Sequence, residues 1–322
     1  MRAGGDQVSS GKFDYLGLAL LVLGLALPWL LYPVLATNIV VWALFAVGFN
    51  LLLGYTGLLS FGHAMFFGGA SYITGIVMLH THLPMPAALL TGVAFSIGLA
   101  YLVGVLSIRT QGIYFAMITL AIAQVIYFAV TVFIGWTGGE NGLQAVPRGT
   151  FFGLPLENDR VMYYAWLVIA VIAVAFVKRV IHSPFGQVLK AIRENEQRAR
   201  SLGYNVDHYK LMAFILSAAV SGLAGGMLVV HQHFTVMDNV DWQTSGEVVM
   251  MTLLGGMGTV YGPIIGAAFY LLLSDRLAVL VNAPGVVIGL IFILTVLLFR
   301  RGIVGEIMGR LDARRARGGQ EA

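Results

Sequence analysis

The chain of 322 residues is 58% hydrophobic, and only 11% of it is Asp, Glu, Lys or Arg, against about 25% in an average soluble domain. So few charges exclude a soluble fold of this size, and so apolar a composition excludes disorder. The absence of cysteine excludes disulfides and thiol chemistry. The net charge is +4, and most of the basic residues lie in two short segments flanked by apolar runs, which argues against nucleic-acid binding.

Ten apolar runs follow one another along the chain. The first, 15–36, can cross a hydrocarbon core of about 30 Å and is longer than the core of a secretory signal, so we predict a retained span. The others lie at 39–60, 64–80, 86–107, 112–134, 161–178, 211–231, 246–258, 261–281 and 285–300. These runs predict an all-α polytopic membrane protein with about ten transmembrane helices, or eight or nine if 39–60 or 246–258 is re-entrant.

A glycine-rich segment, residues 54–63, interrupts the second run. Its glycines and polar residues are Gly54, Tyr55, Thr56, Gly57, Ser60, Gly62 and His63. Irregular backbone survives at membrane depth only where protein or a water-filled cavity satisfies its polar groups, so the segment is a candidate for the substrate pathway. The alternative is that glycine only lets helices pack closely, and the sequence leaves both interpretations open.

Residues 183–203 predict one amphipathic helix inside a cytoplasmic loop, 179–210. Ser183 suits an N-cap, Pro184 the first helical position and Gly203 the C-terminal stop. One face is apolar, with Phe185, Val188, Leu189, Ile192 and Ala199, and the other is charged, with Lys190, Arg193, Glu194, Glu196, Arg198 and Arg200. The mixed charges favour docking on a protein partner over lying on anionic lipid.

Towards the C-terminus, a second glycine-rich segment, residues 255–263, is also a pathway candidate through Gly255, Gly256, Gly258 and Gly262. Glu247 and Arg276 fall near the outer ends of adjacent spans, and we predict an ion pair between them, within the chain or between subunits. The pairs His80/His82 and His231/His233 lack a matched carboxylate or cysteine, so we predict interface histidines and no metal site.

The charge distribution predicts the orientation. Seven of the 19 Lys and Arg lie in 178–210 and six in 300–322, and cytoplasmic segments carry such an excess. Ten spans starting from an inside N-terminus place both segments on the cytoplasmic side. We therefore predict a cytoplasmic N-terminal segment (1–14), a transmembrane permease domain (15–300) and a basic cytoplasmic tail (301–322).

Four motifs resemble the permease subunits of branched-chain amino-acid ABC importers. The coupling loop of that family is similar to Ser183–Gly186, Lys190–Glu196, Ala199 and Gly203–Asn205. The other similar stretches are 54–63, 109–117 and 254–263, and 109–117 resembles the LivM-type subunit more than its LivH-type partner. The resemblance covers about residues 38–300.

The resemblance implies a transmembrane translocation subunit in the bacterial inner membrane. Its partners would be a LivH-like second permease subunit, two cytoplasmic ATPase subunits and a periplasmic substrate-binding protein. The implied ATPase-coupling residues are Phe185, Gly186, Lys190, Arg193, Glu194, Asn195, Glu196, Arg198, Ala199 and Gly203. In the outer loop, 135–160, Glu140 and Asn141 would meet the binding protein or the substrate ammonium group, unless they are simply solvated.

The sequence has no phosphate-binding Gly-x-x-x-x-Gly-Lys-Ser/Thr pattern, so we expect no cofactor on this chain and ATP use by the partner subunits. A urea or short-chain amide ABC permease is the main alternative. An ion-coupled carrier would need carboxylates along its pathway, where the spans offer only Glu247 and Asp275. An enzyme would need convergent Asp, His or Ser groups, which we do not find, so no catalytic residue is predicted.

Overall fold

The computed structural model describes residues 15–81, 83–151, 153–280, 284–298 and 302. The predicted N-terminal segment 1–14, His82 and nearly all of the predicted tail 301–322 lie outside these residues. Within them the helices are α1 (Tyr15–Leu30), α2 (Pro33–Thr56), α3 (Ala64–His80), α4 (Met85–Ser107), α5 (Ile113–Val132), α6 (Ile134–Thr137), α7 (Asp159–His182), α8 (Pro184–Glu194), α9 (Glu196–Ser201), α10 (Val206–Gln232), α11 (Trp242–Gly255), α12 (Gly262–Leu280) and α13 (Pro284–Leu298).

Each of the ten predicted apolar runs contains a helix, which confirms an all-α polytopic membrane protein. Six described helices, α2, α4, α5, α7, α10 and α12, are long and apolar enough to cross a membrane. The helices α1 and α3 and the apolar part of α13 are shorter, and α11 has only 14 residues. A short antiparallel hairpin, β1 (Thr150–Phe151) with β2 (Leu154–Pro155), lies in the predicted outer loop.

The boundaries of the first two predicted spans are wrong. The run 15–36 divides earlier, because α1 ends at Leu30 and α2 begins at Pro33. Tyr32 is extended (φ −66°, ψ 142°), as expected for a residue that precedes a proline, and Pro33 suits the first helical position. At its other end α2 stops at Thr56, before the predicted 60, because Gly57 adopts φ +77° and donates its N–H to the Leu53 carbonyl.

The centre of the bundle is formed by α2 and α10. Buried residues make up 83% and 78% of their apolar windows, against 22–33% in the other four spanning helices. Small residues make this packing possible: a Cβ on Gly225 of α10 would lie 1.8 Å from the Phe67 carbonyl oxygen of α3. The two central helices therefore form a protein-enclosed core, while the others leave broad apolar faces for lipid or for partner subunits.

Two loops that the predicted orientation places outside, 135–160 and 232–245, pair with each other, which the sequence did not predict. Leu143 and Thr235 exchange backbone hydrogen bonds of 2.9 and 3.0 Å, and Val146 donates its N–H to the His233 carbonyl at 2.9 Å. The imidazole Nδ1 of His233 donates in return to the Val146 carbonyl at 2.9 Å. The loops at 135–160 and 232–245 thus form one layer over the outer ends of the helices.

Candidate functional site

The coupling loop is built from two helices, not the single helix predicted over 183–203. The break is at Asn195, which is extended (φ −158°, ψ 100°) and whose side chain caps α9 by accepting the Arg198 N–H at 2.9 Å. This cap competes with helix continuation, because asparagine side chains satisfy the free donors of a new helix. The predicted start is confirmed, since Ser183 caps α8 and Pro184 is its first residue, and Gly203 follows α9 with φ +88°.

The predicted apolar face of the loop packs against the membrane bundle. Leu189, Ile192 and Ala199 are almost completely buried. Phe185 stacks on Tyr209 at the start of α10, with 5.6 Å between the ring centroids. The coupling loop is therefore attached to the membrane bundle through a small hydrophobic core.

Part of the charged face is an internal ion network. The carboxylate of Glu196 accepts hydrogen bonds from Lys210 at 2.5 Å and from Arg200 at 3.1 Å, and Arg200 also reaches Asp207 at 3.0 Å. Burial alone would raise the pKa of the Glu196 carboxyl, but the hydrogen bonds and charges of Lys210 and Arg200 outweigh it and hold that pKa below its ordinary value. The network fixes α9 to the first turns of α10.

Arg193 turns toward the membrane bundle, although the helical pattern placed it on the partner-facing side. Its guanidinium donates a hydrogen bond to the carbonyl oxygen of Gly54, near the end of α2. A Cβ on Gly258 would lie 2.9 Å from the same guanidinium. Lys190, one turn earlier, lies 6.0 Å from the ring of Tyr55. The coupling helix α8 thus contacts both glycine-rich segments.

Asn50 joins those two segments, and the sequence analysis missed it. Its Nδ2 donates to the Thr259 carbonyl at 2.9 Å, and its Oδ1 accepts the Gly258 N–H at 2.9 Å. A Cβ on Gly54 would lie 2.6 Å from the Gly258 nitrogen, so only glycine permits this approach. A polar side chain inside an apolar run, one turn before Gly54, was the available signal, because such groups are costly in a membrane unless paired.

His63 is fully buried at the start of α3. Its Nε2 lies 2.8 Å from the Ser217 hydroxyl, and that hydroxyl donates its one proton to the Gly48 carbonyl at 2.6 Å. The histidine must therefore donate through Nε2, which leaves Nδ1 as an acceptor without a partner among the described residues. The ring edges of Phe49, Phe66 and Phe214 surround it.

The remaining pathway candidates lie at close backbone contacts. A Cβ on Gly255 would lie 1.9 Å from the Gly262 carbonyl oxygen, and one on Gly62 would lie 2.4 Å from the Thr119 carbonyl oxygen. The structure therefore supports the packing interpretation for these glycines. Gly256, which ends α11 with φ +113°, needs glycine for its backbone conformation. The assignment of both segments to a pathway stays a prediction.

The outer and charged candidates lie elsewhere. Glu140 and Asn141 are exposed in the outer loop, where their proposed contacts stay a prediction. The expected intrachain contact between Glu247 and Arg276 is not formed in the described part of the chain. Glu247 lies beside the Tyr270 hydroxyl, and Arg276 lies near Tyr32, which donates to Asp275. The positions of Glu247 and Arg276 along their helices did not reveal that Tyr270 is the nearer partner of Glu247.

Comparison with known proteins gives one family and several relatives. The family described as "Branched-chain amino acid transport system / permease component" matches residues 32–298. The chain is 28% identical to the high-affinity branched-chain amino acid transport system permease protein LivM of Salmonella typhimurium, over 81% of this chain and 67% of that one, and 28% identical to LivM of Escherichia coli, over 80% and 67%. It is 30% identical to the ribose import permease protein RbsC of Bacillus subtilis, over 51% of each chain. No solved structure matches it.

Proposed function

This chain belongs to the family of permease components of branched-chain amino acid transport systems, and on that premise we propose that it is the transmembrane translocation subunit of an ABC importer for branched-chain, hydrophobic amino acids. The contact of Arg193 with Gly54 and Gly258 carries the mechanistic part of the proposal, because it ties the coupling loop to both glycine-rich segments.

The proposed mechanism is alternating access driven from the cytoplasmic side. Two separate ATPase subunits bind ATP, close on each other and displace α8 and α9. Because Arg193 and Asn50 join α8, α2 and the α11–α12 break, these three elements move together. The pathway lies between this chain and a second, LivH-like permease subunit. The motion changes the side of the membrane to which this pathway is open. A periplasmic binding protein delivers the amino acid. This chain holds no cofactor in the scheme.

The proposal includes the finer topology. We place about ten spans in the bacterial inner membrane, with both termini and the coupling loop in the cytoplasm. The basic residues of α7, α8 and α9 support this orientation, because cytoplasmic segments are enriched in Lys and Arg. The exposed apolar faces of α4 and α5 support a second permease subunit or lipid as their neighbour.

Purification and reconstitution test the proposal. The tagged chain, extracted from its native membrane, is expected to bring along two ATPase subunits and a second permease. In proteoliposomes, that complex with its binding protein is expected to take up labelled leucine only when ATP is present on the ATPase side. Leucine uptake by this chain alone without ATP would overturn the assignment, as would ATP-driven uptake of urea with no uptake of leucine, isoleucine or valine.

A further inference from the structure

A crevice separates α1 from the central bundle. It has a volume of about 480 Å³ and lies between α1, α2, α7 and α12. Its lining is almost entirely aliphatic, with Leu20, Leu27, Val40, Leu167, Val174 and Ile265 among the side chains. The second half of α1 is held by hydrogen bonds, from Tyr163 to the Gly24 carbonyl at 2.5 Å and from Trp29 to Tyr164 at 3.3 Å. The crevice extends along the first half of α1, beside Gly17 and Leu21.

The coupling-loop end of this crevice opens into a basic cavity. That second cavity, of about 560 Å³, shares Ala175 and Lys178 with the crevice, and Arg179, His182, Ser183 and Pro184 complete its lining. Residues 175, 178, 179 and 182 lie on one face of α7, because they follow the three- and four-residue spacing of a helix. Lys178 donates to the Tyr261 hydroxyl at 3.2 Å, and His182 donates Nδ1–H to the Lys178 carbonyl at 2.7 Å. Among the residues that the structure describes, the lining of this cavity contains no carboxylate.

We propose that the two cavities together form a binding site for an anionic phospholipid of the inner leaflet. One acyl chain fills the aliphatic crevice between α1 and α7, and the headgroup phosphate lies in the basic cavity against Arg179 and His182. The guanidinium of Arg179 suits a phosphate because its donors match two phosphate oxygens at once. Assignment to the inner leaflet rests on the proposed function, which places the coupling loop in the cytoplasm.

The charge of the cavity selects this occupant. A zwitterionic lipid would bring its cationic group to a cavity lined by Lys178, Arg179 and His182, whereas phosphatidylglycerol brings only negative charge. The headgroup would touch Ser183 and Pro184, where α8 begins. The lipid therefore supports the start of the coupling loop, and we expect anionic lipid to accelerate ATP-coupled uptake.

Native mass spectrometry of the protein extracted from its membrane, with the subunits that accompany it, tests the site. Phosphatidylglycerol is expected to stay bound to the wild type, and phosphatidylcholine is expected not to. The double variant Arg179→Gln/His182→Gln is expected to bind phosphatidylglycerol more weakly, by about fivefold for the loss of the Arg179 charge. Leu167→Trp, which fills the crevice, should lower retention without any change of charge. Arg109→Gln, a cation in the turn after α4 and outside both cavities, is the matched control and should retain lipid like the wild type.

Three results would overturn the site. The first is equal retention of phosphatidylglycerol and phosphatidylcholine by the wild type, and the second is unchanged retention in both site variants. The third is a wild type that retains no lipid and gains it only when residues 303–322 are removed, which would assign the cavities to the chain's own tail. The measurement needs neither ATP nor amino acid. A negative lipid result therefore does not contradict the transport proposal, and a negative transport result does not prevent interpretation of the lipid measurement.

Discussion

Asn50 holds together two segments that are about two hundred positions apart in the sequence. Its buried side-chain amide satisfies both the Gly258 N–H and the Thr259 carbonyl, two backbone groups that are themselves partly buried. Asn38, on the same helix, offers a contrast, because its buried Oδ1 has no partner among the described residues. The same residue type on one helix thus makes two hydrogen bonds at one site and leaves a buried oxygen unpaired at another.

Replacement of Asn50 by leucine should therefore destabilise the protein, while Asn38→Leu should not. Asn50→Leu removes the partners of two partly buried backbone groups, and each lost hydrogen bond costs about 0.5–1.5 kcal/mol. Thermal unfolding of the purified protein should show a clearly lower midpoint for Asn50→Leu and an unchanged or higher midpoint for Asn38→Leu. Equal midpoints for the two variants would remove Asn50 from its proposed role as a clamp.

Arg193 connects the coupling loop with the glycine-rich segments by a charged hydrogen bond. Its alanine variant should fold, because the apolar face of α8 remains, but motion of α8 should no longer reach Gly54. We expect Arg193→Ala to lower amino-acid uptake per ATP hydrolysed, on the order of tenfold, as expected for loss of a charged hydrogen bond. The assay is uptake and hydrolysis measured together in proteoliposomes.

The matched control for Arg193 is Arg109→Ala, which removes an exposed guanidinium from the turn after α4, outside the coupling loop. That variant should keep the ratio of uptake to hydrolysis if α8 alone transmits the motion. A normal ratio in Arg193→Ala, or an equal loss in both variants, would count against a specific path through Arg193.

At the scale of elements, the coupling loop is a two-helix unit whose second helix is fixed by Glu196, Lys210 and Arg200. The folded loop lowers the pKa of Glu196 below that of the unfolded chain. The ionised carboxylate therefore stabilises the loop fully at any pH above the unfolded pKa, and this contribution is lost as the pH falls through the lower, folded pKa.

Hydrogen exchange of the amides of α9 should show this dependence. After correction for the intrinsic exchange rate, protection should fall as the pH is lowered from about 7 to about 3, the range that spans a carboxyl titration. Glu196→Gln removes the titrating group, so its protection should be lower at neutral pH and should change less with pH. A wild type and a variant with the same pH profile would contradict a role for this ion network.

Contact between α3 and α10 depends on a glycine. A methyl group at Gly225 would overlap the Phe67 carbonyl oxygen, and the adjacent backbones leave no room for it to move. Gly225→Ala should therefore lower the yield of folded protein and the unfolding midpoint, because overpacking a core costs about 1–3 kcal/mol of stability. Gly98→Ala on α4, where nothing lies within 4 Å of the added atom, should be neutral or stabilising, and a similar loss in both variants would argue against the overlap.

For the whole molecule, the absence of cysteine makes the topology directly measurable. Single cysteines at Glu140 and at Arg200 can be labelled in intact cells with a maleimide that does not cross membranes. We expect Glu140→Cys to react from outside and Arg200→Cys to react only after the inner membrane is opened, because the charge distribution places the coupling loop inside. Labelling of both variants from outside, or of Arg200→Cys alone, would contradict the proposed orientation.

The helical segments within the apolar runs and the N-terminal cap of the coupling loop were predictable from the sequence because each depends on local composition, and the family was predictable from its motifs. A run such as 86–107 is apolar whatever surrounds it, and Ser183-Pro184 starts a helix by its own chemistry. The break at Asn195 was harder to predict from the sequence. An asparagine within a helical pattern can continue the helix or cap a new one, and the competition between these two conformations decides whether the helix breaks.

The sequence by itself determined that this chain is a polytopic all-α membrane protein with a capped amphipathic segment after Ser183, since hydrophobic length and cap chemistry are local properties, and its motifs carried the resemblance to the permease family. Only the tertiary structure decided which distant groups meet: Asn50 with Gly258, Arg193 with Gly54, Glu247 with Tyr270 and one outer loop with the other. The physical reason is that a buried polar group takes whichever partner the packing of helices brings within about 3 Å, and spacing along one helix does not specify the helix beside it.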